Sequence, residues 1–191
     1  YPPLVIPTYG FAQYFFGQSI YVGRILSTLF FIGSLILVYR IGSMLGNRWA
    51  GISAVFLICT NFLLLSNYII ATMYAMAMFL LLLFVWFELY ELPWPRKAML
   101  AGLMTGLLFL TRSNMAAVAP LYIVYLFIMK APIRAYILYG SVSLFILILG
   151  YLPIILPNPP VALGHILSPF FSYGFYKELP TNLVSSTSIL S

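Results

Sequence analysis

Arg24 and Arg112 are the residues of this sequence best suited to hold an anion. Each stands at the end of a long apolar run, and Arg112 is followed by Ser113 and Asn114. A guanidinium is a planar fork that grips two phosphate oxygens at once. Ser113 and Asn114 add hydrogen-bonding groups at the expected start of the next helix, where free N–H groups favour anions. The plain alternative is that both arginines touch lipid headgroups or snorkel to a membrane surface. Tyr68 and Tyr74 flank a polar break at Ser66-Asn67-Tyr68. Tyrosine stacks on a sugar or donates to a phosphate; the plain alternative is an aromatic belt at a membrane interface.

Other reactive residue types are few. The chain has no aspartate, and its three acids are Glu88, Glu91 and Glu178. Glu88 and Glu91 lie three positions apart, on nearly one helix face. Paired carboxylates suit acid–base work, but Arg96-Lys97 nearby makes charge balance the simpler use. His165 is the single histidine and Cys59 the single cysteine, so a disulfide within the chain and a Cys/His zinc cluster are both excluded. Cys59 reads as a small apolar filler. No divalent metal or other cofactor is indicated.

The elements that must position these residues are membrane helices. Of 191 residues, 63% are hydrophobic and only 6% charged, against roughly a quarter charged in soluble domains. That excludes disorder, and basic residues are too sparse for nucleic-acid binding. Long apolar runs near the roughly 20 residues needed to cross a bilayer point to a polytopic protein. We expect an all-α transmembrane bundle of about six spans, at 25–45, 49–65, 69–90, 98–111, 115–129 and 136–156. A short interfacial helix at 8–16 precedes them. Arg112-Ser113-Asn114 divides two short helices into a hairpin, because one continuous helix would bury Arg112 at mid-membrane. Residues 1–156 form the membrane core, and 157–191 start an extracytoplasmic loop. The chain opens at Tyr1 without Met or a basic leader, and we read it as a fragment of a longer protein.

The net charge of +6 tests this map. Six of the nine basic residues fall in the expected inner turns: Arg40, Arg48, Arg96, Lys97, Lys130 and Arg134. Arg24, Arg112 and Lys177 fall outside, a distribution that obeys the positive-inside rule. Both ends of the chain are therefore expected to face away from the cytoplasm. Gly42/Gly46 and Gly102/Gly106 form GxxxG patterns, which we read as close helix packing.

Taken in order, several short motifs resemble a known family. They are Tyr1-Pro2-Pro3-Leu4, Phe16-Gly17, Val22-Gly23-Arg24-Ile25-Leu26-Ser27, Tyr39-Arg40, Leu45-Gly46-Asn47-Arg48-Trp49-Ala50-Gly51 and Leu110-Thr111-Arg112. Their order and spacing over residues 1–130 resemble the membrane glycosyltransferases of the C superfamily that use polyprenyl-phosphate sugars. The nearest groups are the dolichyl-phosphate-mannose protein mannosyltransferases and the aminoarabinose transferases of lipid A. The resemblance implies sugar transfer from a polyprenyl-phosphate donor to a hydroxyl on protein, lipid or glycan. It implies a multi-pass protein of the plasma or inner membrane with its active side extracytoplasmic. It puts Arg24 and Arg112 on basic positions of the family pattern, where they would meet the donor phosphate. Asn114, Tyr68, Tyr74 and Tyr1 are the further candidates for contact with donor phosphate and sugar. The family's catalytic base, usually an Asp, lies just upstream of the Pro-Pro-Leu motif, so no catalytic residue is assigned here. Aminoarabinose-type enzymes carry Glu-Lys before the first proline, where this chain has only Tyr1.

Two other classes compete. A transporter or flippase of a lipid-linked glycan places substrate groups at mid-membrane on broken helices, whereas the polar residues here gather at the outer face. A non-catalytic membrane scaffold would lack an acidic residue in the loop before Tyr1.

Overall fold

The computed structural model of the chain describes residues 3–62 and 73–156. The described residues are helical, without strands: α1 Val5–Phe16, α2 Ile20–Leu45, α3 Arg48–Thr60, α4 Met73–Glu88, α5 Trp94–Thr111, α6 Val118–Ile128 and α7 Ile133–Ile155. A 3-10 turn, Ser113–Ala117, joins α5 to α6.

Local chemistry sets these boundaries. α1 begins at Val5 rather than at residue 8, because Pro7 falls in the first turn, where a missing N–H breaks no helical bond. It ends at Gly17, whose φ of 91° suits a residue without a Cβ. α2 begins five residues earlier than expected, at Ile20, because the Ser19 hydroxyl caps it by accepting from the Tyr21 N–H at 3.3 Å. Arg24 therefore lies within α2 instead of just before it. Asn47 caps α3 by accepting from Ala50 N–H at 3.0 Å. α5 starts at Trp94 instead of residue 98, with Pro95 in its first turn. Just beyond the end of α6 at Ile128, Lys130 takes a positive φ of 49°. The Ala131 and Lys130 N–H groups then bond back to Leu126 and Phe127 at 3.0 and 3.1 Å. This left-handed cap, followed by Pro132, reverses the chain into α7.

Glycines pack the helices. A Cβ on Gly42 would lie 2.9 Å from the Gly51 Cα, so α2 and α3 meet backbone to backbone. A Cβ on Gly102 would lie 2.6 Å from the Tyr139 carbonyl oxygen, and one on Gly106 would lie 2.8 Å from the Ile146 Cβ. Both GxxxG patterns are thus packing seams. The second fixes direction: 102 meets 139, 106 meets 146, and the Phe109 and Tyr151 rings lie 6.3 Å apart. α5 and α7 are therefore parallel and in direct contact, and α6 returns alongside them, Tyr122 and Leu126 packing with Ala98, Ala101, Ala135 and Tyr139. α4 runs against α5, with Met76 and Leu80 packed on Met104 and Leu108. α2 lies on α4 through Phe30 and Phe79, 5.6 Å apart.

Two helices, α2 and α7, are long and apolar enough to cross a membrane, and most of each lies on the surface. α3, α4 and α6 are apolar but shorter, at 13, 16 and 11 residues. α6 falls short because its first turn is wound as the tighter 3-10 helix. α5 has 18 residues, but Arg96 and Lys97 occupy its first turn. The parts of the second and third expected spans within 63–72, and the loop 157–191, lie outside the described residues.

Candidate functional site

The last turn of α5 is anchored from inside. Leu110 and Thr111 are buried, and the Thr111 hydroxyl donates to the Leu107 carbonyl at 2.8 Å. The chain then leaves the helix. Arg112 adopts extended backbone, half-buried, while its N–H still bonds Leu108 at 2.9 Å. Because α4 runs against α5, the start of α4 lies beside this exit. Its Tyr74 ring takes the Arg112 guanidinium, whose Cζ is 4.2 Å from the ring centroid.

A third segment reaches the same place. The Leu4 N–H donates to the Leu110 carbonyl at 3.1 Å, and the Leu4 side chain packs against both the Met76/Leu108 and Phe109/Leu110 clusters. The Pro3-Leu4 opening thus meets Leu110-Thr111-Arg112, far away in sequence. From there α1 crosses to α2, where the Tyr9 and Ser27 hydroxyls share a hydrogen bond of 2.8 Å. Ser27 is fully buried. Burial pushes the Tyr9 phenol up, against a smaller opposing effect of the Ser27 bond, so it stays neutral. Arg24 lies one turn before Ser27 and is exposed. α1 therefore bridges the helices that carry Arg24 and Arg112, both at one end of the bundle.

Asn114 is exposed in the 3-10 turn beside Arg112. There the Met115 N–H is bonded to the Arg112 carbonyl at 2.9 Å, the first bond of the 3-10 turn. Tyr68 and Tyr1 lie outside the described residues, as does the Ser113 side chain. Among the described residues, neither Arg24 nor Arg112 pairs with a carboxylate. The acids in the described part, Glu88 and Glu91, sit at the opposite end of α4.

At that opposite end Lys97 and Glu88 are closed on each other, while Glu91, Arg96, Lys130 and Arg134 have no ion pair among the described residues. Lys97 Nζ lies 3.4 Å from Glu88 Oε2 and donates to the Glu88 carbonyl at 2.7 Å. Tyr122 Oη donates to Glu88 Oε1 at 3.1 Å. Trp94 and Tyr125 each place a ring centroid 5.9 Å from Lys97 Nζ. Tyr122 stacks on Tyr139, whose hydroxyl donates to Thr105 Oγ1 at 3.3 Å. Sequence reading paired Glu88 with the Arg96-Lys97 side but missed this tyrosine column. Its signal, Tyr122 and Tyr125 one turn apart, is lost among fifteen tyrosines. Among the described residues no group of three His, Cys, Asp or Glu side chains gathers to hold a metal.

No protein-family model, curated protein or solved structure matches the chain.

Proposed function

We propose that this chain is part of an integral membrane glycosyltransferase that moves a sugar from a polyprenyl phosphate to a hydroxyl acceptor. The observation that carries this reading is the meeting of Leu4, Leu110 and Arg112 with Tyr74 at one end of the bundle. Two motifs of the resemblance, the Pro-Pro-Leu opening and the Leu-Thr-Arg tip, thereby share one site, and the cation there has no carboxylate partner among the described residues.

The chemistry follows from the charges. The acceptor oxygen attacks the anomeric carbon, and the bond from that carbon to the phosphate oxygen breaks. The polyprenyl phosphate leaves with the bonding electrons. Arg112, with Arg24 at the same end, stabilises the charge that grows on it. The acceptor proton goes to a carboxylate base, which the resemblance assigns upstream of Pro2. Asn114, Tyr68 and Tyr1 are the remaining candidates for contact with the donor. The donor's tail stays in lipid, so an apolar bundle with its cations at one rim suits it.

The membrane topology belongs to the same proposal. The parallel α5 and α7, with α4 opposed, agree with six alternating crossings by α2–α7. α6 at ~16 Å and the 3-10 turn at ~10 Å together approach the hydrocarbon thickness of about 30 Å. Arg96, Lys97, Lys130 and Arg134 gather at the starts of α5 and α7, which suits a cytoplasmic face there. The Arg112 end is then extracytoplasmic, in the plasma or inner membrane.

The test is transfer by the full-length protein in proteoliposomes, offered a panel of polyprenyl-phosphate sugars. Arg112→Ala is expected to lower turnover by on the order of a hundredfold in a protein that still folds. Turnover unchanged in Arg112→Ala and Arg24→Ala would reduce both arginines to headgroup anchors and remove the basis of the reading. Transport of a lipid-linked glycan without transfer would favour a flippase instead.

A further inference from the structure

We infer that Tyr74 is a positioning residue of the donor-phosphate site, its ring holding the Arg112 guanidinium where a phosphate meets its N–H groups; this rests on the glycosyltransferase reading above. The argument starts at the end of α5. Thr111 is fully buried and bonded back to Leu107, so the backbone that delivers Arg112 leaves the helix at a fixed point. The Arg112 side chain beyond it is long and has much rotamer freedom to lose. No hydrogen bond or ion pair restrains the guanidinium among the described residues. Its recorded neighbour is the Tyr74 ring, with Cζ 4.2 Å from the centroid.

A ring face is a particular kind of partner. It attracts the cation through its quadrupole and takes none of the five N–H donors. A carboxylate in the same place would accept two of them and cancel the charge. The stack therefore orders Arg112 and leaves its fork available to an oxyanion, as a phosphate-binding arginine requires. Lys97 shows the other outcome. It too lies near aromatic rings, but Glu88 takes its charge. The stack also changes what Tyr74 does, since the ring face under the guanidinium is not open to a sugar. Tyr74 can serve this way because Met76 and Leu80 lock α4 against α5 just beyond it.

The experiment uses the full-length protein in detergent. Farnesyl phosphate is the probe, and farnesol, the same tail without phosphate, is the control; affinities come from thermal-shift titration. Tyr74→Phe keeps the ring and is expected to match wild type. Tyr74→Leu is expected to weaken farnesyl phosphate about fivefold, with farnesol affinity unchanged and the KM for the sugar donor raised by a similar factor. Tyr74→Met serves as the ring-free variant if the leucine protein fails to fold. Wild-type phosphate affinity in the ring-free variant, equal loss in Tyr74→Phe, or a parallel loss for farnesol each overturns the inference. Arg112→Ala separates the two levels. If it loses phosphate affinity while the ring-free variant does not, only the role of Tyr74 falls. If Arg112→Ala binds farnesyl phosphate as wild type does, the donor-site reading falls with it.

Discussion

Two cations of α5, Lys97 and Arg112, are held in opposite ways at the two ends of the bundle. At the start of α5, Lys97 and Glu88 neutralise each other, and Tyr122 donates to the carboxylate as well. At the end of α5, Arg112 has an aromatic ring and no carboxylate among the described residues. One helix thus carries a closed charge, Lys97, beside the exposed Arg96 at one end and an open, half-buried one, Arg112, at the other. A closed charge belongs to folding, since its partners belong to the protein. An open charge in a half-buried setting adds little to folding and is free to meet a ligand. Stability measurements on variants at the two ends therefore test this contrast before any substrate is known.

The largest effect is expected at the closed end. Lys97→Met leaves Glu88 in a site where both partners are only 13% and 16% exposed. Breaking such a pair from one side costs about 3 kcal/mol, read as an earlier unfolding midpoint in a denaturing-detergent titration. The double variant Glu88→Gln/Lys97→Met should recover much of that loss, because no buried charge remains. A Lys97→Met protein as stable as wild type would remove the distinction between the ends.

A smaller loss is expected midway along α5, where the seam with α7 joins the ends. Gly106→Val places new atoms against Ile146, already 2.8 Å from the first added carbon. Overpacking there should cost about 2 kcal/mol by the same titration. Because α5 carries Lys97 at one end and Arg112 at the other, the wedge should disturb both. A Gly106→Val protein that loses stability yet keeps wild-type farnesyl phosphate affinity would show that the open end is held by α1 and α4 alone.

Which of these features the sequence discloses follows a physical pattern. Local punctuation is legible: Gly17, Asn47 and Arg112 end or start helices through backbone chemistry that any reader of the chain can apply. Gly102/Gly106 is legible as packing because a GxxxG ridge has few other uses in an apolar helix. The starts of α1 and α5 are misplaced because Pro7 and Pro95 look like breaks, yet each sits in a first turn that tolerates proline. Arg24 is misplaced because a charge looks like a boundary, whereas the Ser19 cap decides. Contacts made by packing stay hidden. The meeting of Leu4 with Leu110 depends on how α1 lies across the bundle. The stack of Arg112 on Tyr74 needs α4 and α5 antiparallel and in one register. The Tyr122–Tyr139 pair needs α6 to return alongside the seam of two parallel helices.

α1 offers a finer test of the open end. Tyr9→Phe removes one hydrogen bond and leaves the fully buried Ser27 hydroxyl without that partner. The expected cost is about 1 kcal/mol, small because the ring and its packing remain. If α1 is the strut between the Arg24 and Arg112 helices, the variant should also lower sugar transfer more than its small stability loss explains. A transfer rate that follows stability alone would make α1 a cover rather than a strut.

The smallest stability effect is expected at Arg24, and it sharpens the contrast most. Arg24 is exposed on α2, with no carboxylate partner among the described residues. Removing it breaks no recorded ion pair and opens no cavity, so Arg24→Ala should unfold within about 0.5 kcal/mol of wild type. Lys97, also a lone substitution of one cation, should differ from it severalfold in the same titration. If Arg24 serves the donor phosphate, its loss should appear only when farnesyl phosphate or a sugar donor is added. A clear loss of stability in Arg24→Ala without any ligand would mean that its charge is spent on the fold. The open end would then hold Arg112 as its one available cation among the described residues.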